Sequence, residues 1–304
     1  MSTPASTQTT QLERATNALL GLGLPIFALA NIGLGIEAII CAHRAIFLYA
    51  RPVHPRFPVI PVFPYLPTIP WLAYLFCALL AICGAGLLFK RTLRTSTLTL
   101  GCLFFLCTLI LEVPKNASMP GSMGLRTNVF EPLALACLAW LLPGRAAMPS
   151  WLARASRYLL GLSLIVFGVD HFLALAAIGT LIPTWIPWHM FWMAFFGVGF
   201  IAAGISIATN FLMRWAATCL GLMFALWVLT LHIPRTLFGL YGGRGPKDPD
   251  EWAGVFIVLA LWGGSWALAR FQSRQPHPVP GSQEIEAFLP LARQGGEASA
   301  PTSE

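Results

Sequence analysis

Along this chain, long apolar blocks alternate with short clusters of Pro, Gly, Lys and Arg. A helix needs about 20 mostly apolar residues to cross the roughly 30 Å hydrocarbon core of a bilayer. That ruler marks eight blocks, at 18–48, 70–89, 95–114, 129–148, 157–180, 188–209, 214–233 and 251–270. They are continuously apolar, without the alternation a membrane barrel would show, so each predicts a helix. The fourth has its apolar run cut short by Pro143 and Gly144. The first exceeds what a bilayer requires and is expected to tilt or to emerge beyond the lipid. Residues 1–17, polar at their start, predict a disordered tail without the short apolar stretch of a secretory signal. Residues 272–304, rich in Pro, Gly, Ser and Gln, predict another.

Composition supports the membrane reading. Hydrophobic residues are 57% and charged residues 10% of the chain, against about 45–50% and about 25% in ordinary globular proteins. Too few charges remain to wet a soluble body of this size. The net charge of +7 does not point to nucleic acid, because Lys and Arg sit singly or in pairs between apolar blocks. That distribution marks connecting loops. With eight spans both termini share a side, and the basic clusters at 90–94 and 145–157 fall on it, which predicts cytoplasmic termini in a bacterial inner membrane. The seven cysteines lie in apolar blocks and include no CxxC pair, so they predict helix-contact residues and no metal site.

The chain also resembles itself. At an offset of 120, Arg94–Lys115 falls on Arg214–Arg235 without a gap, with Arg94/Arg214, Gly101/Gly221, Phe104/Phe224 and Pro114/Pro234 identical. The same offset pairs Gly84 with Gly204 and Glu131 with Glu251. In the first helix of each half the offset is 133, pairing Gly35 with Gly168 and Glu37 with Asp170. This predicts an all-α polytopic protein of two four-helix repeats, at 18–148 and 157–270. Four is even, so the repeats run parallel, related by an axis along the membrane normal.

In the second half, Gly168-Val-Asp-His-Phe172 is followed by Ile182-Pro-Thr-Trp-Ile-Pro-Trp188, a Gly-rich helix, Arg214-Trp-Ala-Ala, and a helix ending His232-Ile-Pro-Arg235. This pattern resembles the DoxX-like membrane proteins, a family of four-helix units. The first half departs from it, with Ala38 in place of His171 and Glu112 in place of His232. The resemblance implies a subunit or accessory of a quinone-linked membrane oxidoreductase assembly, without a tightly bound cofactor of its own. It implies redox partner proteins or a homo-oligomer, with quinone as the candidate ligand.

A charged group at mid-bilayer costs roughly 2.5–3.5 kcal/mol by insertion scales, so the few polar residues of the spans are the candidates for chemistry. They form one set per repeat: Glu37, Glu112 and Glu131, then Asp170 with His171, His232 and Glu251. Glu37 and Asp170 are expected either to pair with Arg44 or Arg235, or to serve a proton, cation or quinone headgroup. Glu131 and Glu251 are expected to open helices, with Pro132 in a first turn. Trp185, Trp188 and Trp192 are expected to form an interfacial belt or to roof a quinone beside Asp170 and His171. A small proton-coupled transporter and a scaffold without chemistry are the rival readings. The lack of a conspicuous Pro/Gly break inside any span weighs against transport.

Overall fold

The computed structural model describes residues 4–47, 70–118, 121, 123–143, 148–175 and 179–272. The Pro-rich 51–69 segment and the 273–304 tail lie outside them. Among the described residues the fold is all-helical: α1 (Pro4–Gly21), α2 (Gly23–Phe47), α3 (Pro70–Gly86), α4 (Leu93–Cys107), α5 (Val113–Ser118), α6 (Met123–Leu141), α7 (Ser150–Leu173), α8 (His189–Thr209), α9 (Met213–Trp227), α10 (Ile233–Phe238) and α11 (Pro249–Gln272). One π-helical turn, Thr108–Glu112, joins α4 to α5, and a second, Val228–His232, joins α9 to α10.

Six helical stretches are long and apolar enough to cross a membrane: Glu13–Ile40, Leu93–Glu112, Ser150–Leu173, His189–Thr209, Met213–Phe238 and Glu251–Gln272. Their outward positions carry exposed Leu106, Leu162, Val198, Ile205, Leu222 and Leu229, as lipid contact requires. Of the other expected spans, α3 has 17 residues, and α6 carries Arg126 and Glu131 in its first half.

Several boundaries differ from expectation. The expected N-terminal tail is helical from Pro4, and only Leu22 separates α1 from α2. The stretch is rich in good helix formers (Gln8, Gln11, Leu12, Glu13, Arg14, Ala15), and it is tied down where Arg214 Nη2 donates to Asn17 Oδ1 at 3.4 Å. The fourth span begins at Met123 rather than 129 and ends at Leu141, before Pro143. Pro132 therefore lies inside α6, not in its first turn. The fifth span ends at Leu173, seven residues early, where Ala174 leaves the helical region.

The helices pack as a ring in which α2, α3, α4, α6, α7, α8, α9 and α11 each touch the next, and α11 closes on α2. Helices α6 and α11 also touch each other and occupy the centre. Residues 133–142 of α6 and its following turn are all buried, and 72% of the apolar window of α11 is buried, against 33–44% in the other five. The first helix of each half is thus covered by the last helix of the other.

Close approaches match between the halves. A β-carbon at Gly35 would fall 2.6 Å from the Cys77 carbonyl oxygen and 2.7 Å from Ala81 N, and one at Gly168 would fall 2.6 Å from the Gly197 carbonyl oxygen and 3.2 Å from Ile201 N. Gly84 meets Ala28 and Ile32 as Gly204 meets Gly161 and Ile165. Gly101 lies under Trp140, and Gly221 under Trp266. The first helices keep the offset of 133 and the middle ones 120, while Trp140 and Trp266 stand 126 apart. The central helices are therefore shifted by six residues relative to the 120 offset. Glu131, in the third turn of α6, and Glu251, in the first turn of α11, do not occupy matching places.

The π turns have a cause in the sequence. Proline has no N–H and its ring clashes with the carbonyl four residues back. Pro114 and Pro234 sit just after the two turns. Directly before each proline, Val113 and Ile233 donate five residues back, to the Thr108 and Val228 carbonyls. The wider ring lets each helix pass its proline and continue.

Candidate functional site

The polar residues of the spans do not gather in one place. Asp170, on α7 and 3% exposed, faces α6. Arg126 Nε donates to its Oδ1 at 2.8 Å, Arg126 Nη2 donates to the same oxygen, and Thr127 Oγ1 lies 3.5 Å from Oδ2. The partner is thus neither Arg44 nor Arg235, and it ties the last helix of the first half to the first helix of the second. Arg126 precedes the apolar run of α6, so hydropathy alone assigns it to a loop. Helix α6 starts a full turn before the apolar run and carries it to Asp170.

His171, the neighbour of Asp170, points elsewhere. Its Nδ1 donates to the Phe167 carbonyl at 2.7 Å, in the helical i−4 direction. One face stacks on Trp227 at 5.6 Å and 17°, and Phe200 sits 5.2 Å away. Trp227 is itself surrounded by Phe196, Phe200 and Phe224 at 5.6–5.9 Å. The imidazole is a member of a packed aromatic cluster, 8% exposed. The rings packed against His171 are Phe200 and Trp227, and not the three tryptophans before and in α8. Trp185 and Trp188 are 68% and 77% exposed on the loop before α8, and Trp192 Nε1 donates to the Pro187 carbonyl at 3.1 Å. Trp192 reaches the cluster only through Phe196, 6.0 Å away.

Glu251 organises the loop that leads into α11. Arg235 grips it with two hydrogen bonds, Nε to Oε2 at 3.2 Å and Nη2 to Oε1 at 3.0 Å. The Arg244 N–H adds a third at 3.2 Å, and Thr236 Oγ1 donates to the Glu251 carbonyl at 3.1 Å. Arg235 Nη1 also donates to the Tyr241 carbonyl at 2.7 Å. The loop turns back sharply, with Gly239, Gly242 and Gly245 in the left-handed region. A β-carbon at Gly243 would fall 2.5 Å from the Arg235 carbonyl oxygen. Paired by a fork of donors, this carboxylate fastens a loop to a helix start. His232 is half-buried in the second π turn, and Glu37 is half-buried on α2.

The first half differs. A cavity of about 30 Å³ lies between α2, α3, α4, the first π turn, α6 and α11. Glu112, 2% exposed, lines it with Glu131, Asn128 and Cys107, and Leu34, Phe76, Phe104, Pro132, Leu135 and Ile257 complete the wall. Two helix irregularities meet here, the π turn that carries Glu112 and Pro132, which has no N–H to give the Asn128 carbonyl. Cys107 and Ala38 are the first-half counterparts of Trp227 and His171, the two rings that fill the aromatic cluster in the second half.

No group of three or more metal-ligating side chains occurs among the described residues. No family model, curated protein or solved structure matches this chain.

Proposed function

We propose that the protein is a DoxX-like integral membrane protein of eight spans, built as two parallel four-helix units with cytoplasmic termini in a bacterial inner membrane. In this reading it serves a quinone-linked oxidoreductase assembly as a non-catalytic subunit. The observation that carries the proposal is the closure of the second-half polar groups. Asp170 is held by Arg126, Glu251 by Arg235, and the His171 ring packs against Trp227 and Phe200. Groups so engaged position helices and loops. Quinone or a partner would then meet the protein at the exposed Trp185 and Trp188, not at His171. Matching close contacts in the two halves support the duplication.

Purification in native lipids, with identification of co-purifying proteins and quinone, tests this. Redox partners retained by the wild type and by His171→Phe, but lost from Trp185→Ala with Trp188→Ala, are the expected result. A preparation with no redox partner in any form would refute it. Aqueous labelling of single cysteines placed at 121 and 242, positive only from the periplasmic side, is expected for the topology.

A further inference from the structure

Two acids, Glu112 and Glu131, line the cavity in the first half. We propose that it is a hydrated site for a small hard cation, a proton or a sodium ion, and that Trp227, which stands in the second half where Cys107 lines the cavity, takes up the corresponding space there.

Four observations converge. A polar-lined cavity needs about 10–15 Å³ of such space per water, so about 30 Å³ admits a water with an ion or two waters carrying a proton. Its wall is mostly apolar, but the residues lining it include two carboxylates and an amide, whose oxygens suit a hard cation, and a thiol. Helix geometry departs from regular α there twice, at the π turn of Glu112 and at Pro132. Irregular backbone inside a membrane protein is tolerated where it is buried or lines a cavity, and unwound carbonyls in transporters coordinate cations. Finally, two lining positions differ between the halves. Leu34 and Cys107 correspond to the larger Phe167 and Trp227, while Phe76 and Phe104 keep their rings as Phe196 and Phe224.

The titratable groups facing the cavity are Glu112 from the π turn, Glu131 from α6 and Cys107 from α4; α2, α3 and α11 contribute Leu34, Phe76 and Ile257. Glu37 lies one turn further along α2 than Leu34, and Arg126 lies five residues before Glu131 on α6. A site of this kind gives the membrane body a coupling-ion position, which favours a transport or ion-regulated role over a passive scaffold.

The test uses the full chain in lipid nanodiscs and follows thermal unfolding by tryptophan fluorescence. Sodium chloride is compared with choline chloride at equal ionic strength, and each is scanned over pH. A ligand that binds only the folded state raises the midpoint, and a rise of about 2–4 °C is readable for a protein of this size. A rise with sodium at fixed pH identifies sodium, and a rise on acidification that sodium does not alter identifies the proton. Either response is expected to vanish in Glu131→Gln and in Cys107→Trp, which rebuilds the second-half plug. The same response in both variants overturns the proposal, as does a wild type insensitive to sodium and pH. If neither variant folds, equilibrium dialysis of the wild type against radioactive sodium, paired with proton uptake by pH electrode, decides. Absence of both overturns it. Partner retention in native lipids is a separate readout, so failure here and failure of the subunit reading are distinguishable.

Discussion

Removing Arg126 should be worse for the protein than removing the charge of Asp170. The Asp170 side chain is 4% exposed and that of Arg126 27%. Arg126→Met leaves a carboxylate in the seam between α6 and α7, with Thr127 at 3.5 Å as its remaining donor. Stripping one partner from a buried pair costs about 3–5 kcal/mol. Arg126 reaches the surface, so water can follow the methionine in part, and the lower end, about 3 kcal/mol, is the better figure. Asp170→Asn keeps an acceptor and leaves a guanidinium that can rehydrate, at about 1–2 kcal/mol. The double variant has no stranded charge, so it should be no less stable than Arg126→Met alone, with a coupling energy of about 2 kcal/mol. Thermal unfolding in nanodiscs reads these differences. At about 2–4 °C per kcal/mol, Arg126→Met should lower the midpoint by roughly 6–12 °C and Asp170→Asn by about one-third to two-thirds of that. Equal losses in the two single variants, or a double variant as damaged as their sum, would refute the clamp.

Glu251→Gln should free the 239–248 loop, read as faster amide exchange there at unchanged exchange in α8, with a stability loss of about 1–3 kcal/mol. Gly221→Ala places a β-carbon 2.2 Å from Trp266 Cδ1 and should cost about 1–3 kcal/mol by overpacking, read as a lower unfolding midpoint. Trp227→Ala should cost about 3–5 kcal/mol, whereas His171→Phe, which keeps the ring stack, should cost under about 1.5 kcal/mol; a large His171→Phe loss would mean the imidazole does more than pack. Cys102 and Cys219, exposed on helix outsides, should react in nanodiscs with a lipid-soluble maleimide and not with a charged one, while buried Cys137 should resist both.

Apolar runs and their lengths made the long helices legible, because burial in lipid demands continuous hydrophobicity. The run cannot mark where a helix starts when its first turns are polar and paired. Hence Arg126 read as a loop residue, Glu131 as a helix start and Pro132 as a first-turn proline, although all three lie within α6. Residues 4–17 are polar, so hydropathy passed over helix α1. Side-chain direction was also illegible. Asp170 and His171 are adjacent in sequence, but on a helix neighbours point about 100° apart, and one went to α6 while the other went to the aromatic cluster. Trp227 was passed over because a tryptophan within a span reads as one more apolar residue. Its meaning came from Cys107, its small counterpart.

The ring closure has a consequence for synthesis. Helix α2 finds its cover in α11, roughly 200 residues later, which at about 5–20 residues per second is some 10–40 s of translation. During that interval the small-residue face of α2, where Gly23 meets the backbone of Ala267 and Gly263 meets Phe27, has no protein against it. Helix α7 has no such wait, since α6 precedes it directly. Late assembly is therefore concentrated at one joint, between the earliest and latest long helices. Substitutions there, at Gly23 or Gly263, should act through quality control of the nascent chain before they act through anything the finished protein does.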